Sequence, residues 1–420
     1  MRLIIHRGAQ QVGGSCVELG FENSSILIDV GLPLDHKFDD DIDSNLPQPL
    51  FHQLKHGSRK VDGVLLSHAH LDHYGLAGVL PLEIPVYCGE ASAELIAITA
   101  QVSSGKTIFF EPKTFEAWKT FQIGAFSVTP YLMDHSAFDA YGFLVSAGGK
   151  NVFYTGDFRG HGRKAKLLDR LVRNPPEVDV LLMEGTLVGQ RSAEPTMSEF
   201  ELEEKIVKVI RENPGIALFS GSSQNIDRMV TLFRATKRAG RRLIIDFYTA
   251  EILLRLKKFA KLPQASWPQI RVCYPQLLAR RFEKAGLDEI LVRHRENGIK
   301  WSRIKEVEDR VVMLVRPGFL YDLKRFIDLD GAVWIYSMWR GYFEQSKPLR
   351  NLKGYLEDKG VRFEYLHTSG HAKLADMTRL VEALDPEMVI PIHSFHPEKY
   401  KDHFPKVRLV DDGEAVELGS

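Results

Sequence analysis

Residues 67–73 read Ser67-His68-Ala69-His70-Leu71-Asp72-His73, so four potential metal ligands fall within six positions. They directly follow an apolar run, Val61 to Leu66, that reads as a buried strand. A folded chain seldom concentrates imidazoles and a carboxylate in this way without a cation to hold, and the donor set suits zinc, manganese or iron. His68 and His70, two apart in an extended turn, are expected to point the same way toward one ion. Asp72 and His73 are expected to turn toward a second ion. The alternative, a polar surface loop with incidental histidines, does not account for the density of donors.

Length then asks for more than one core. A chain of 420 residues exceeds one ordinary domain and predicts two. Its 44% hydrophobic and 26% charged residues belong to a soluble globular protein. The apolar run in Met1-Arg2-Leu3-Ile4-Ile5-His6-Arg7 is too short for a signal peptide, and no stretch approaches a membrane span. Cys16, Cys88 and Cys273 lie far apart with no Cys-x-x-Cys, which argues against a disulfide framework and against thiolate zinc. A reducing, cytoplasmic setting without a membrane partner is the expectation, and a homodimer stays open.

Residues 1–190 read mostly as strands joined by turns. Three of them end in an acid: Ile26-Leu27-Ile28-Asp29, Val152-Phe153-Tyr154-Thr155-Gly156-Asp157 and Val180-Leu181-Leu182-Met183-Glu184. Parallel placement gathers Asp29, Asp157 and Glu184 on one rim of a sheet, near the histidine loop. Past 190 the texture changes to alternating helix and strand, an α/β pattern with a parallel sheet. Thr196-Met197-Ser198-Glu199 opens this region with a capping-box pattern. Farther on, Leu366-His367-Thr368-Ser369-Gly370-His371 and Ile390-Pro391-Ile392-His393 are strand-to-histidine junctions like those of the first part. The order predicts a first domain in two pieces, 1–190 and 346–420, with a second domain, 191–345, inserted between them.

The insertion has a charge imbalance. From Arg228 to Arg310 there are 20 Lys plus Arg against 9 Asp plus Glu, a net of +11 in a chain that is neutral overall. Solvated helix faces would explain part of this, but a positive lobe beside a metal site favours a polyanion laid across it.

Two ions need about seven protein ligands. His135 in Met133-Asp134-His135-Ser136, Asp157, and His393 in Pro391-Ile392-His393-Ser394 each follow an expected strand and close the count. His68, His70 and His135 are assigned to one ion, and Asp72, His73 and His393 to the other. Asp157 is assigned between them. Any one of the last three alone would read as a structural histidine or a capping aspartate.

This series resembles the metallo-β-lactamase superfamily. His68-Ala69-His70-Leu71-Asp72-His73 looks like its signature, and Asp29, His135, Asp157 and His393 match its other motif positions. The resemblance implies an α/β fold, an αββα sandwich of two mixed sheets between helices, with two Zn2+ at one edge; Mn2+ suits the same donors. It also implies that Asp29 orients ligands and their loop. Gly8-Ala9-Gln10-Gln11-Val12-Gly13-Gly14-Ser15-Cys16, Glu184-Gly185-Thr186 and Ser369-Gly370-His371-Ala372 resemble the β-CASP branch, especially ribonuclease J and related RNA-cleaving enzymes. That branch inserts an α/β β-CASP domain at this place, and the likeness covers nearly the whole chain.

The chemistry implied is hydrolysis of an RNA phosphodiester, exo- or endonucleolytic, with the cations lowering the pKa of a shared water. The leaving 3′-oxygen needs a proton, because an alkoxide leaves poorly. His371 is the candidate acid, and Glu184 would hold its imidazole and favour the charged form. Asp72 counts both as a ligand and among the catalytic residues. The loop Phe219-Ser220-Gly221-Ser222-Ser223-Gln224-Asn225 leaves a strand and enters a helix, a setting that suits a phosphate. By likeness to ribonuclease J, Ser220, Ser222, Ser369 and Ala372 are carried over as phosphate-binding positions. Asn225 and Arg228 face the same groove or the surface in this reading.

Several features depart from that pattern. Gly160-His161-Gly162-Arg163 after the bridging aspartate is unusually basic, and Arg159, His161 and Arg163 read either as phosphate contacts or as a solvated loop. Trp339 in Tyr336-Ser337-Met338-Trp339-Arg340-Gly341-Tyr342 reads as a base-stacking residue or as domain packing. The sequence given closes at Ser420, soon after the last expected strand, where ribonuclease J carries a further domain. The competing functions are a DNA-directed nuclease of the same branch and a hydrolase of small thioesters, lactones or lactams. The basic insertion and the Glu184/His371 pair speak against the second.

Overall fold

The computed structural model describes residues 1–36, 42, 46–104, 110–189 and 197–419. The chain divides into two compact units. One is Met1–Ile96, Ile108–Pro195 and Gly370–Ser420; the other is Ala97–Thr107 and Thr196–Ser369. The sequence boundary near 190, and Thr196 at the start of the expected capping box, lie outside the described residues. No helix among the described residues is long and apolar enough to cross a membrane.

The first unit opens with strands β1 (Arg2–Arg7), β2 (Cys16–Phe21), β3 (Ser24–Ile28), β4 (Gly63–Leu65), β5 (Val86–Gly89) and β6 (Lys113–Phe115). They form one sheet, antiparallel from β1 to β3 and parallel from β3 to β6. A second sheet follows from β7 (Phe121–Ile123), β8 (Phe126–Met133), β9 (Ala140–Ala147), β10 (Lys150–Tyr154) and β11 (Val180–Glu184).

Among the described residues the second unit holds six strands: β12 (Ala217–Ser220), β13 (Arg242–Asp246), β14 (Ile270–Cys273), β15 (Val311–Leu314), β16 (Val333–Tyr336) and β17 (Arg362–Tyr365). All pair in parallel, in the order β14-β13-β15-β12-β16-β17. This unit runs on to Ser369 because β17 is the sheet's last strand, paired with β16. The chain then completes the first unit, where β18 (Met388–Ile392) lies parallel to β11 and β19 (Ala415–Glu417) antiparallel to β1.

Alternation along the strands explains the layers of the first unit. In β11, Val180 and Leu182 join the core between the two sheets. Leu181 and Met183 point the other way, into a cluster with Leu168 and Leu171 of the helix Lys166–Arg173 and Met377, Leu380 and Leu384 of the helix Leu374–Leu384. Both faces are covered, so the strand reads as a continuous apolar run. Leu3, Ile5, Val17, Leu19, Ile26 and Ile28 of the first sheet meet Val128, Phe143, Val145, Val152 and Ile390 of the second across that core. Each such side chain contributes about 1.5–3 kcal/mol by leaving water. The result is two sheets with helices outside them, the αββα arrangement.

In the second unit a buried ion pair replaces an expected surface residue. Arg228, on the helix Ile226–Arg238, is fully buried, not in a groove or in solvent. It donates to Glu199 Oε1 at 3.0 Å, Ser337 O at 2.9 Å and Thr368 O at 3.2 Å. Glu199 also accepts from Thr231 Oγ1 at 2.8 Å. It is therefore spoken for, and the capping box falls on Ser198 and Glu201. Asn225 caps the Arg228 helix, accepting from Arg228 N at 3.0 Å.

Candidate metal centre

Parallel strands leave their carboxyl ends on one rim, and the donors sit there. Asp29 follows β3, the His68–His73 loop follows β4, Asp157 follows β10, Glu184 ends β11 and His393 follows β18. β8 is antiparallel to β9, which is antiparallel to β10, so β8 delivers His135 to the same end. Extended backbone at His70 turns directly into the helix Leu71–Tyr74, which swings Asp72 and His73 away from His68 and His70. The loop after β3 docks beneath that helix, with Val30 N donating to His73 O at 2.8 Å and Leu32 N to Leu71 O at 2.9 Å. At Gly31 between them an added Cβ would stand 1.7 Å from Asp72 O, so no other residue fits.

Four sets of donor atoms converge within 4.8 Å. They are His68, His70 and His135; His68, His73 and Asp157; Asp72, His73 and His393; and His135, Asp157 and His371. Asp157 Oδ2 is central: it lies 3.2 Å from His73 Nε2, 3.8 Å from His393 Nε2 and 3.9 Å from His68 Nε2. Asp72 Oδ2 is 3.8 Å from His73 Nε2 and 3.7 Å from His393 Nε2. His70 Nδ1 is 3.0 Å from His68 Nε2 and 3.4 Å from His135 Nε2.

The outward ring nitrogens of His73, His135, His393 and His68 are held. His73 Nδ1 meets Asp29 Oδ2 at 2.8 Å, His135 Nδ1 meets Gly370 O at 2.7 Å, and His393 Nδ1 meets Ser15 Oγ at 3.0 Å. His68 Nδ1 meets Ser67 Oγ at 3.0 Å. Such contacts fix ring orientation in metal sites. The inward atoms differ: His73 Nε2, Asp157 Oδ1 and His393 Nε2 are buried with no hydrogen-bond partner among the described residues. Unpaired buried polar atoms are costly, and a divalent cation satisfies the lone pairs of ring nitrogens and carboxylate oxygens, so the cluster fits a divalent metal site. Asp29 and His393 also hold left-handed backbone, with φ of 57° and 55°. Non-glycine residues enter that region at a cost of about 1–3 kcal/mol each, and here both bring side chains into the cluster.

Electrostatics favours the ligand protonation state at His68, His70, His135, His393 and Asp157, and the protonated form at His73. Burial, with neighbouring imidazoles, pushes His68 well below its ordinary value; burial does the same to His135 and lowers His70 and His393. Neutral imidazole is the form that binds metal. Burial opposes charge on Asp157, but His393, His73 and His371 hold it well below the carboxylate range. Burial likewise opposes charge on His73, and Asp157, Asp29 and Asp72 more than offset it.

His371 stands beside this cluster, its Nδ1 3.4 Å from Glu184 Oε1 and 3.7 Å from Asp157 Oδ2. Burial works against its charged form, but Glu184 and Asp157 lift its pKa to about 9. Glu184 is itself fixed by backbone, accepting from Ala372 N and Thr186 N, both at 3.0 Å.

The phosphate-binding candidates are placed unevenly. Ser220 is buried, its hydroxyl donating to Val315 O at 3.2 Å and accepting from Trp334 Nε1 at 2.9 Å. Ser222 is exposed and accepts from Gln224 N at 3.3 Å. Ser369 is half-buried, and the Ala372 amide is the one bound to Glu184. Arg159 and His161, read as phosphate contacts or a solvated loop, are instead buried: Arg159 pairs with Asp134, and His161 Nδ1 lies 3.8 Å from Asp376 Oδ2.

Sequence reading missed Tyr154, whose hydroxyl donates to Asp29 Oδ2 at 2.7 Å, and Ser67, which binds Asp29 through both N and Oγ. Tyr154 lies inside an apolar strand with nothing local to mark it. Ser15 had a signal, the Gly13-Gly14-Ser15 turn, but no assigned partner.

Fold and cluster define a class: a two-sheet α/β sandwich with a divalent-metal site at the carboxyl rim of its strands. The beta-lactamase superfamily domain matches residues 26–215. The chain is 29% identical over 247 residues to transcription termination factor FttA of Methanosarcina mazei, a match covering 52% of this chain and 37% of that protein. To an RNase J-like protein of Methanocaldococcus jannaschii it is 25% identical over 421 residues, 95% of this chain and 93% of that one. A crystal structure of a protein of unknown function from Enterococcus faecalis superposes with a TM-score of 0.78 at 20% identity, over 99% of both chains. The chain is similar to the beta-lactamase superfamily domain over residues 26–215, and the likeness along its length is consistent with the β-CASP branch.

Proposed function

We propose that the protein is a metal-dependent ribonuclease that hydrolyses RNA phosphodiesters, with His371 as general acid. The observation that carries this is His371 held between Glu184 and Asp157, against the metal cluster. Relatives named RNase J-like and FttA support RNA as the substrate class.

His68, His70 and His135 would hold one cation and Asp72, His73 and His393 a second, with Asp157 available to either. Zinc suits this donor set, and manganese is accommodated by it. Bound there, a pair of divalent cations acidifies water and offsets charge on the phosphoryl oxygens. Asp29 and Ser15 keep His73 and His393 turned inward. With Nδ1 against Glu184, His371 carries its transferable proton on Nε2. As water attacks phosphorus and the P–O3′ bond breaks, that proton passes to the leaving 3′-oxygen. The basic stretch Arg228–Arg310 attracts the polyanion. Three buried free thiols, Cys16, Cys88 and Cys273, suit a reducing cytoplasm.

The test incubates metal-loaded protein with RNA labelled at either end, single-stranded or duplex, beside matching DNA. Cleavage of RNA that falls roughly 100-fold or more in His371→Ala and in Asp72→Asn is expected. No cleavage of any polymer, with turnover of a thioester or lactone, overturns the reading. Cleavage of DNA alone reassigns the substrate, and wild-type rates in His371→Ala remove that residue as the acid.

A further inference from the structure

Past the carboxyl end of β16, the second unit presents aromatic rings that its core does not use. Trp339 is 53% exposed and Tyr342 47%, and their rings meet edge to face at 5.6 Å. The indole is not a loose side chain. A Cβ built on Gly341 would fall 2.2–2.4 Å from three atoms of its six-membered ring, so the ring lies flat over the Gly341 backbone. Tyr336 Oη donates to Trp339 O at 3.2 Å, which anchors the turn from beneath. One indole face is therefore backed by main chain while the ring stays half open.

Cations lie on the neighbouring rings. The Arg340 guanidinium stacks 4.0 Å over Tyr365, and Lys353 Nζ lies 5.2 Å from the centre of Phe343. Arg350 donates to Phe343 O at 2.8 Å and Glu344 O at 2.7 Å. Residues 339–353 hold four Lys plus Arg and one acid, a local net of +3. Adjacent β12 and β16 are parallel, so this turn leaves the same edge of the sheet as the Ser220–Asn225 loop. In open parallel sheets, ligands bind outside the carboxyl ends of the strands.

We propose that Trp339, backed by Gly341 and flanked by Tyr342 and Arg340, is a stacking platform for an unpaired base of a single-stranded polynucleotide. Backed aromatic faces amid cations match the requirements of such strands: π-faces for bases and positive charge for phosphates. A duplex keeps its bases stacked on each other and gains only the charge. The inference rests on the nucleic-acid reading above and assigns where the second unit grips the strand.

The test measures binding, apart from cleavage, by fluorescence anisotropy of a labelled unstructured oligoribonucleotide. The full chain carries Asp72→Asn so that the probe stays intact, and a matching DNA strand and an RNA duplex run beside it. Trp339→Ala is expected to weaken single-strand binding roughly tenfold and to leave duplex binding unchanged, whereas Trp339→Phe keeps most of the affinity. Gly341→Ala, which displaces the ring without removing it, is expected to follow Trp339→Ala. Tyr321→Ala, at an exposed aromatic elsewhere in the unit, serves as the control and is expected to bind as the parent does. Unchanged single-strand affinity in Trp339→Ala sinks the proposal, as does equal loss for strand and duplex. A change in oligomeric state with RNA affinity intact overturns it in favour of an interface between copies. Failure of the nuclease reading would appear separately, as absence of cleavage by the wild-type chain.

Discussion

Arg159 and Asp134 are both fully buried, and the ion pair between them at 3.6 Å ties the loop of Asp157 to the loop of His135. Asp134 Oδ2 also accepts from Gly162 N at 2.8 Å, and Arg159 N donates to Asp134 O at 2.7 Å. Two donors of the cluster thus share one rigid support. Removing one partner of a buried pair strands the other's charge and typically costs about 3–5 kcal/mol. Arg159→Met is expected to lose about that much in urea unfolding, and Asp134→Asn in the Arg159→Met background to recover part of it. A double variant no more stable than Arg159→Met would show that the pair is not the source of the loss.

Asp29 concentrates four hydrogen bonds, from Ser67 N, Ser67 Oγ, Tyr154 Oη and His73 Nδ1. Its φ of 57° favours Asp, Asn or Gly. Asp29→Asn keeps the backbone and removes the charge that orients His73, so metal affinity should fall about 10–100-fold with modest loss of stability. Asp29→Ala also loses a residue suited to the left-handed region and should be less stable by about a further 1 kcal/mol. Isothermal titration with zinc, beside thermal unfolding of the apo-protein, separates the two effects. Equal zinc affinity in Asp29→Asn and the wild type would remove Asp29 from the support of the site.

The donors were legible in sequence because they are local: each follows an apolar strand, and strand ends are marked by a change in polarity. Their supports were not. The Arg159–Asp134 and Arg228–Glu199 pairs join residues 25 and 29 positions apart, and nothing near Arg228 says that its guanidinium is desolvated. Charge counting reads every arginine as surface until a partner is known. The capping box shows the same limit, since Thr196/Glu199 and Ser198/Glu201 both satisfy the spacing. Arg228 takes Glu199, and Ser198 and Glu201 form the box.

Metal addition should stabilise the first unit by mass action. A ligand that binds only the folded state contributes about 2.7 kcal/mol at a hundred times its Kd. Zinc added to chelator-treated protein is therefore expected to raise the unfolding temperature by several degrees. In His393→Ala the rise should shrink, because Asp72 and His73 lose their third donor. An identical rise in the variant would take His393 out of the ligand set.

Acid should act on the second unit through Glu251. Its carboxylate accepts from His294 at 3.0 Å, from Arg255 at 3.1 Å and from Arg293. Burial opposes its charge, yet these partners hold its pKa near 2, against 4.5 for an ordinary glutamate. Because the folded value is depressed, the unfolded chain takes up the proton first on acidification. The contribution is complete above about pH 4.5 and is lost as pH falls toward 2. Glu251→Gln should be less stable at neutral pH, with a difference from wild type that narrows over that window. Parallel stability curves for the two proteins between pH 5 and 2 would show that Glu251 is not the titrating group.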